Sequence, residues 1–253
     1  MKDLFRRTPL QQFAEYSASH MHAGAAYQAR FRDRPGRAAM WALEEQLIKD
    51  IFARIAPRRA LDFATGTGRI VSALEKDFPD CEFHGIDIAE DMLAIARTQC
   101  ARTTLHEMDG RQALNHFGEG TFDVVSAFRF FPNAEPSLRE TAASQIAGLT
   151  RPGGYVVLNN HRSFWSLSYM LMRACGNSDG SFGSRNADIR RLFGGKGFSC
   201  VQQYSLGVWP QTEFRSALLP WPMTNALERF NMRHASRWHR MGYNTIFVFR
   251  KTM

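Results

Sequence analysis

The chain has 253 residues, 44% of them hydrophobic and 22% charged, enough for one α/β domain with embellishments or for two small domains. That apolar fraction excludes wholesale disorder, and no window approaches the run of about 18 apolar residues that a transmembrane helix needs. The net charge of +8 is unevenly spread: 11 Lys/Arg against 6 Asp/Glu over residues 1–59, 7 against 14 over 60–150, and 14 against 4 over 151–253.

In chain order, residues 10–32 have weak helical periodicity broken by Gly24 and end in the turn-like Asp33-Arg34-Pro35-Gly36, which predicts an N-terminal arm over 1–38. Residues 39–56 place Leu43, Leu47, Ile51 and Ile55 at i, i+4 spacing beside Met40, Ile48 and Phe52, an amphipathic helix stopped by Pro57. Short apolar runs follow at 60–64, 82–88, 103–108, 122–128 and 154–159, with helical patterns between them at 69–78, 90–100, 111–117 and 135–150. Parallel strands need crossover connections, and this alternation supplies them, so a doubly wound α/β sheet is expected. Arg151-Pro152-Gly153-Gly154 is read as a helix stop before the fifth strand. Beyond it come an aromatic helix at 163–175, a Gly/Ser loop at 176–183, a helix at 184–194, a strand at 198–204, an Arg-rich helix at 221–240 and a terminal strand at 243–250.

Cys81, Cys100, Cys175 and Cys200 are scattered and form no CxxC, so they read as reduced, mostly buried thiols and neither a metal site nor a disulfide frame is expected. The N-terminus has positive charge without an apolar segment behind it, so a cytoplasmic protein with no membrane insertion is expected.

The chemistry concentrates at Asp62-Phe63-Ala64-Thr65-Gly66-Thr67-Gly68, where the first strand meets its helix. Glycines there let a ligand approach the backbone. A dinucleotide fingerprint would want Gly or Ala at the third position, where this chain has Val71, and the carboxylate four residues before Gly66 points to a ligand carrying an ammonium group. Asp87, ending Gly85-Ile86-Asp87 some 20 residues later, suits ribose hydroxyls. Met108-Asp109-Gly110 after the third strand could accept from an adenine amino group, and Ala127-Phe128-Arg129-Phe130-Phe131 follows the fourth. Each carboxylate also has a purely structural reading: Asp62 as a helix cap, Asp87 as a turn former, Asp109 as a cap for the helix at 111.

In order and spacing, ALDFATGTGRI, FHGIDIAEDMLAIAR, LHEMDGR and LTRPGGYVVLNN resemble the motifs of class I S-adenosylmethionine-dependent methyltransferases. The resemblance implies a Rossmann-like, doubly wound, seven-stranded, mostly parallel sheet with helices on both faces. It also implies S-adenosylmethionine as cofactor and S-adenosylhomocysteine as product. Residues 39–160 would form the cofactor-binding core of a single 1–253 domain, and residues 161–253 would supply acceptor-recognition insertions and the final strands. Asp62 with the backbone of Ala64, Thr65, Gly66, Thr67 and Gly68 would hold the methionine part, and Asp87 the ribose. Ile88 and Met92 would flank the adenine, Met108, Asp109 and Gly110 would meet its edge, and Ala127 and Phe128 would lie by the sulfonium.

The segment AFRFFPN departs from the Asn/Asp-Pro-Pro-aromatic pattern that grips planar amides and exocyclic amines, which favours an oxygen acceptor. His161, directly after the fifth strand, is the candidate base, with His20 and His22 of the arm as weaker ones; histidine titrates near neutral pH. Arg129 could meet the cofactor carboxylate or an acidic acceptor. Tyr16, His20, Tyr27, Phe131, Asn160 and Trp165 are the candidate acceptor contacts. A small-molecule O-methyltransferase for an acidic or glycan-type metabolite is the leading expectation. An RNA methyltransferase, supported by the ladder Arg229, Arg233, Arg237 and Arg240, and a non-catalytic binding protein of the same fold are the alternatives.

Overall fold

A computed structural model describes residues 35–161, 163, 166, 170, 185–209, 219–233 and 242–253. Its elements are α1 (Pro35–Ile55), β1 (Arg59–Phe63), α2 (Arg69–Asp77), β2 (Glu82–Asp87), α3 (Glu90–Gln99), β3 (Thr104–Glu107), a 3-10 turn (Gly110–Gln112), α4 (Ala113–Phe117), β4 (Phe122–Ala127), α5 (Pro136–Leu149), β5 (Thr150–His161), α6 (Asn186–Gly194), β6 (Phe198–Leu206), α7 (Trp221–Arg233) and β7 (Asn244–Lys251). The strands form one seven-stranded sheet in the order β3-β2-β1-β4-β5-β7-β6. The first five run parallel, and β7 inserts antiparallel between β5 and β6. The order reverses between β1 and β4, and open α/β sheets bind ligands at such a switch point, outside the carboxyl ends of the strands.

The central strands are apolar on both faces because both faces are covered. Ala60, Val124, Val157, Ile246 and Val248 point to one side, where α1 and α2 bury Leu43, Leu47, Ile48, Ile51, Phe52, Val71 and Leu74. Their neighbours Leu61, Val125, Val156, Leu158, Phe247 and Phe249 point to the other, under Ala143, Ile146 and Leu149 of α5 and Phe193 of α6. Burying a Leu, Ile or Phe side chain stabilises by about 1.5–3 kcal/mol, so these two clusters hold the layers together.

Among the described residues the expected elements recur, with the bounds of α1 and β5 adjusted. β5 begins at Thr150, not after the Arg-Pro-Gly-Gly turn: Phe122 pairs with Thr150 and Val124 with Tyr155, so the extra residues form an irregularity in the strand, with Gly153 at φ 71°. Cys200 is exposed on β6, whereas Cys81 is buried and its thiol is pushed up to about 12, mainly by that burial. Of the arm expected over 1–38, residues 35–38 belong to α1, because Pro35 opens the helix where a turn was expected, and 1–34 lie outside the described residues, as do Cys175, nearly all of the expected aromatic helix at 163–175, and Arg237 and Arg240. No helix among the described residues is long and apolar enough to cross a membrane.

Candidate cofactor and active site

The loop after β1 takes the left-handed backbone region three times, at Ala64 (φ 59°), Gly66 (φ 55°) and Gly68 (φ 74°). At Gly68 a side chain is excluded by packing, since a Cβ would lie 2.8 Å from Cys100 Sγ and 2.9 Å from Ala96 Cβ of α3. At Gly66 a Cβ would meet nothing within 4 Å, so the backbone there borders open space at the sheet's switch point. Ala64 carries a Cβ in a region that disfavours one by about 1–2 kcal/mol. Such strain persists where the surroundings over-determine the backbone, and it clusters at functional sites.

What fixes the loop is polar. Thr65 Oγ1 donates to Asp62 Oδ2 (2.8 Å), and Ser126 Oγ of β4 donates to Asp62 Oδ1 (2.6 Å). Asp62 is 2% exposed, and burial raises its pKa to about 6; the two hydroxyls oppose the shift, the Asp87 charge adds to it and Arg69 opposes it. Thr65 and Thr67 are buried with it. Asp87, ending β2, accepts from Gly66 N at 2.7 Å and from Ala89 N at 3.0 Å, tying the first loop to the second.

Next to Asp87, Ile88 is 49% exposed, an apolar side chain left at the surface where a flat ring could stack, while Met92 is buried in α3. Met108 N donates to Asp87 O (2.9 Å), which brings the third strand's tip to the same edge, and Gly110 leaves no room for a side chain beside the tip of the Phe63 ring. Asp109 caps the 3-10 turn through Arg111 N (2.9 Å) and pairs with the Arg111 guanidinium (2.5 Å), which holds its carboxyl below the usual range. The cap reading of Asp109 is therefore present in the fold.

At the ends of β4 and β5 the structure brings together residues that sequence reasoning missed. Arg129 has φ 61°, and its N–H donates to Asn159 Oδ1 (2.6 Å). Asn159 Nδ2 reaches Glu44 Oε1 (3.2 Å) and Asn244 Oδ1 (3.1 Å), and Asn244 Nδ2 also donates to Glu44 Oε1 (2.9 Å). The other Glu44 oxygen lies 3.7 Å from Arg129 Nη2. Glu44 sits in line with Ile48 and Phe52 on the buried side of α1, so a carboxylate on an apolar row was the available signal. Asn133 Nδ2 donates to Arg129 O (2.6 Å) and lies 3.3 Å from His161 Nε2, which makes that ring nitrogen an acceptor. His161 is the last residue of β5 and 8% exposed.

Two expected acceptor contacts are buried in the fold. Phe131 is 0% exposed in the core, edge-on to Phe130 and Phe193 at ring separations of 5.2 and 5.3 Å, because the chain turns inward after Arg129. Asn160 is also 0% exposed: β5 side chains alternate, and its amide donates to Asn186 Oδ1 (2.7 Å) of α6. Ala127 and Phe128 are buried at the end of β4. Tyr16, His20, His22, Tyr27 and Trp165 lie outside the described residues.

Sheet order, loop and carboxylates define a doubly wound α/β domain with polar loops gathered at the carboxyl ends of β1 and β2, the edge at which such sheets bind ligands. Residues 60–154 match a methyltransferase-domain family, and over that stretch the chain is similar to class I S-adenosylmethionine-dependent methyltransferases. It is 34% identical over 114 residues to a demethylmenaquinone methyltransferase of Thermus thermophilus, covering 43% of this chain and 50% of that protein. It is 31% identical over 106 residues to a ubiquinone biosynthesis O-methyltransferase of Methylococcus capsulatus, covering 40% and 43%. The chain thus spans about half the length of these curated relatives. Among solved structures, magnesium protoporphyrin IX methyltransferase of Synechocystis with bound S-adenosylhomocysteine superposes with a TM-score of 0.62 at 15% identity, over 94% of this chain and all of that one, a likeness of fold.

Proposed function

We propose that the protein transfers a methyl group from S-adenosylmethionine to an oxygen of a small-molecule acceptor. The observation that carries this reading is the bond from Gly66 N to Asp87 beside open space at Gly66 and the exposed Ile88. A carboxylate offers about four acceptor positions, so Asp87 can hold both backbone N–H groups and still receive ribose hydroxyls. Ile88 then backs the adenine, and Asp109 accepts at its edge while keeping Arg111. Asp62 supplies the negative charge for the ammonium group. S-adenosylmethionine brings an already activated methyl group, so the protein's part is to position the acceptor, exclude water and take a proton.

In this reading the acceptor hydroxyl displaces the Asn133 amide from His161 Nε2 and passes its proton to the lone pair so released. Asn133 cannot turn its oxygen to the ring without losing the Arg129 carbonyl, so the amide fixes the ring nitrogen's role. The relatives support a small acceptor, since their names carry demethylmenaquinone and magnesium protoporphyrin IX, and one is an O-methyltransferase. Glu44 already pairs with Arg129, so a neutral hydroxyl suits this edge better than the acidic acceptor expected from Arg129 alone.

Calorimetry with S-adenosylmethionine and S-adenosylhomocysteine tests the cofactor half. Single-site binding of both is expected, and Asp87→Ala should weaken it about tenfold or more, as unpaired buried hydroxyls demand. Binding of a nicotinamide dinucleotide in their place would overturn the proposal.

A further inference from the structure

The amino-acid part of S-adenosylmethionine carries a carboxylate beside its ammonium group, and Asp62 answers only the ammonium. Both groups sit on one carbon, so a cation for the carboxylate has to stand close to Asp62. Arg129, after β4, is drawn towards Glu44 (3.7 Å). Arg69 is the first residue of α2, directly after Gly68. Burial raises the Asp62 pKa, and Arg69 is a positive charge near enough to oppose that rise. Its guanidinium carbon lies over the Trp41 ring, 4.1 Å from the centroid. Trp41 packs on the apolar cluster shared by α1 and α2 and keeps part of its surface open. Helix α1 ends at Ile55, just before β1 begins, so its first half runs towards the carboxyl ends of the strands. Glu44 reaches Asn159 and Asn244 at that edge, and Trp41 lies about one turn farther along the helix. Arginine in a first turn opposes the helix dipole, and α2 has no acidic residue there, so Arg69 does not serve helix stability.

Resting on the cofactor reading above, we propose that Arg69, stacked on Trp41, binds the carboxylate of the cofactor's amino-acid part, with Trp41 as its positioning residue. Stacking uses the face of a guanidinium and not its edge, and the edge carries the fork of N–H donors that matches two carboxylate oxygens. A lysine would bring the charge without the plane. Asp62 and Arg69 then present opposite charges to the two ends of one zwitterion, across the glycine loop that separates them in sequence. The site thereby selects ligands with the amino-acid group over nucleosides that lack it. Arg129 is left to the acceptor edge, where Glu44 and Asn159 hold it.

Titration calorimetry of the full chain tests this without an acceptor, using S-adenosylhomocysteine, its decarboxylated form, and methylthioadenosine, which has the nucleoside but no amino-acid group. The wild type should bind S-adenosylhomocysteine about tenfold or more tightly than the decarboxylated form. Arg69→Met should weaken S-adenosylhomocysteine by about that factor, bring it level with the decarboxylated form, and leave methylthioadenosine within about twofold of wild type. The retained methylthioadenosine binding certifies the fold of the variant. Arg69→Lys should fall between the two. Trp41→Leu should show the same selective loss, and Trp41→Phe, which keeps a ring face, should restore most of it; a merely structural role would weaken all three ligands alike. Arg69→Met weakening all three equally, or none, would overturn the proposal while leaving the cofactor reading intact. So would the selective loss appearing in Arg129→Met instead, since the carboxylate would then belong to Arg129. A wild type that binds none of the three would overturn the cofactor reading and this proposal together.

Discussion

Asp62 is where stability and ligand binding pull in opposite directions, and Asp62→Asn separates them. Burial raises its pKa from 3.8 to about 6, so the ionised carboxylate costs the ligand-free fold about 3 kcal/mol above pH 7. The folded pKa is the raised one, so the stabilising contribution is complete below pH 3.8 and is lost as pH rises through about 6. Asn has the same shape, carries no charge, and can be met by the Thr65 and Ser126 hydroxyls once they rotate. At pH 8 the variant should therefore be more stable by up to about 3 kcal/mol, roughly 6–12 °C in Tm for a chain of this size, with the gap closing as pH falls towards 4. Its affinity for S-adenosylmethionine should move the other way. Losing a hydrogen bond to a charged group costs about 1.5–3 kcal/mol, a weakening of about 10-fold to 150-fold. Wild-type affinity should rise between pH 5 and 7 and then level off, and the variant's should be flat. Scanning calorimetry and titration calorimetry across pH read both halves. A variant with wild-type stability and wild-type affinity at pH 8 would refute the reasoning and leave Asp62 as a support for Thr65 and Ser126 alone.

Three further outcomes are expected. Ala64→Gly should stabilise by about 0.5–1 kcal/mol, because removing the left-handed Cβ strain outweighs the added freedom of the unfolded chain; a loss above about 1 kcal/mol in urea titration would contradict the strain at φ 59°. His84 and His106, 3.2 Å apart between Nδ1 and Nε2, both have pKa values lowered chiefly by burial, so the stability they contribute above pH 6.5 should be lost as pH falls below it. This trend opposes that of Asp62, and a melt series from pH 7 to 5 in the Asp62→Asn background isolates it; His84→Gln should flatten the remaining slope. For a hydroxyl acceptor, His161→Ala should lower turnover by about 10²–10⁴-fold with S-adenosylhomocysteine affinity intact, and full activity in the variant would remove His161 as the base.

The sequence by itself determined the alternation of elements and the cofactor edge. Both rest on short-range patterns: short continuous apolar runs such as Tyr155-Val156-Val157-Leu158, i, i+4 rows such as Leu43, Leu47 and Ile51, and turn residues clustered at 62–68 and 85–87. Asp87 and Gly66 lie 21 positions apart, within one β-α-β unit, so their meeting was legible from spacing. The polar network at the β4–β5 edge was not. Glu44 lies 115 positions from Asn159 and 200 from Asn244, and those contacts exist because β7 returns antiparallel beside β5 and α1 crosses the same end of the sheet. Nothing local in Asn159-Asn160 tells which amide joins Arg129 and which turns to α6; the strand's pleat and its neighbours decide that. The burial of Phe131 has the same origin. Periodicity gives a residue its face, but which face is covered depends on what the fold packs against it, and a buried carboxylate such as Glu228 is held there by the Gly207 and Trp209 N–H groups that a distant loop supplies.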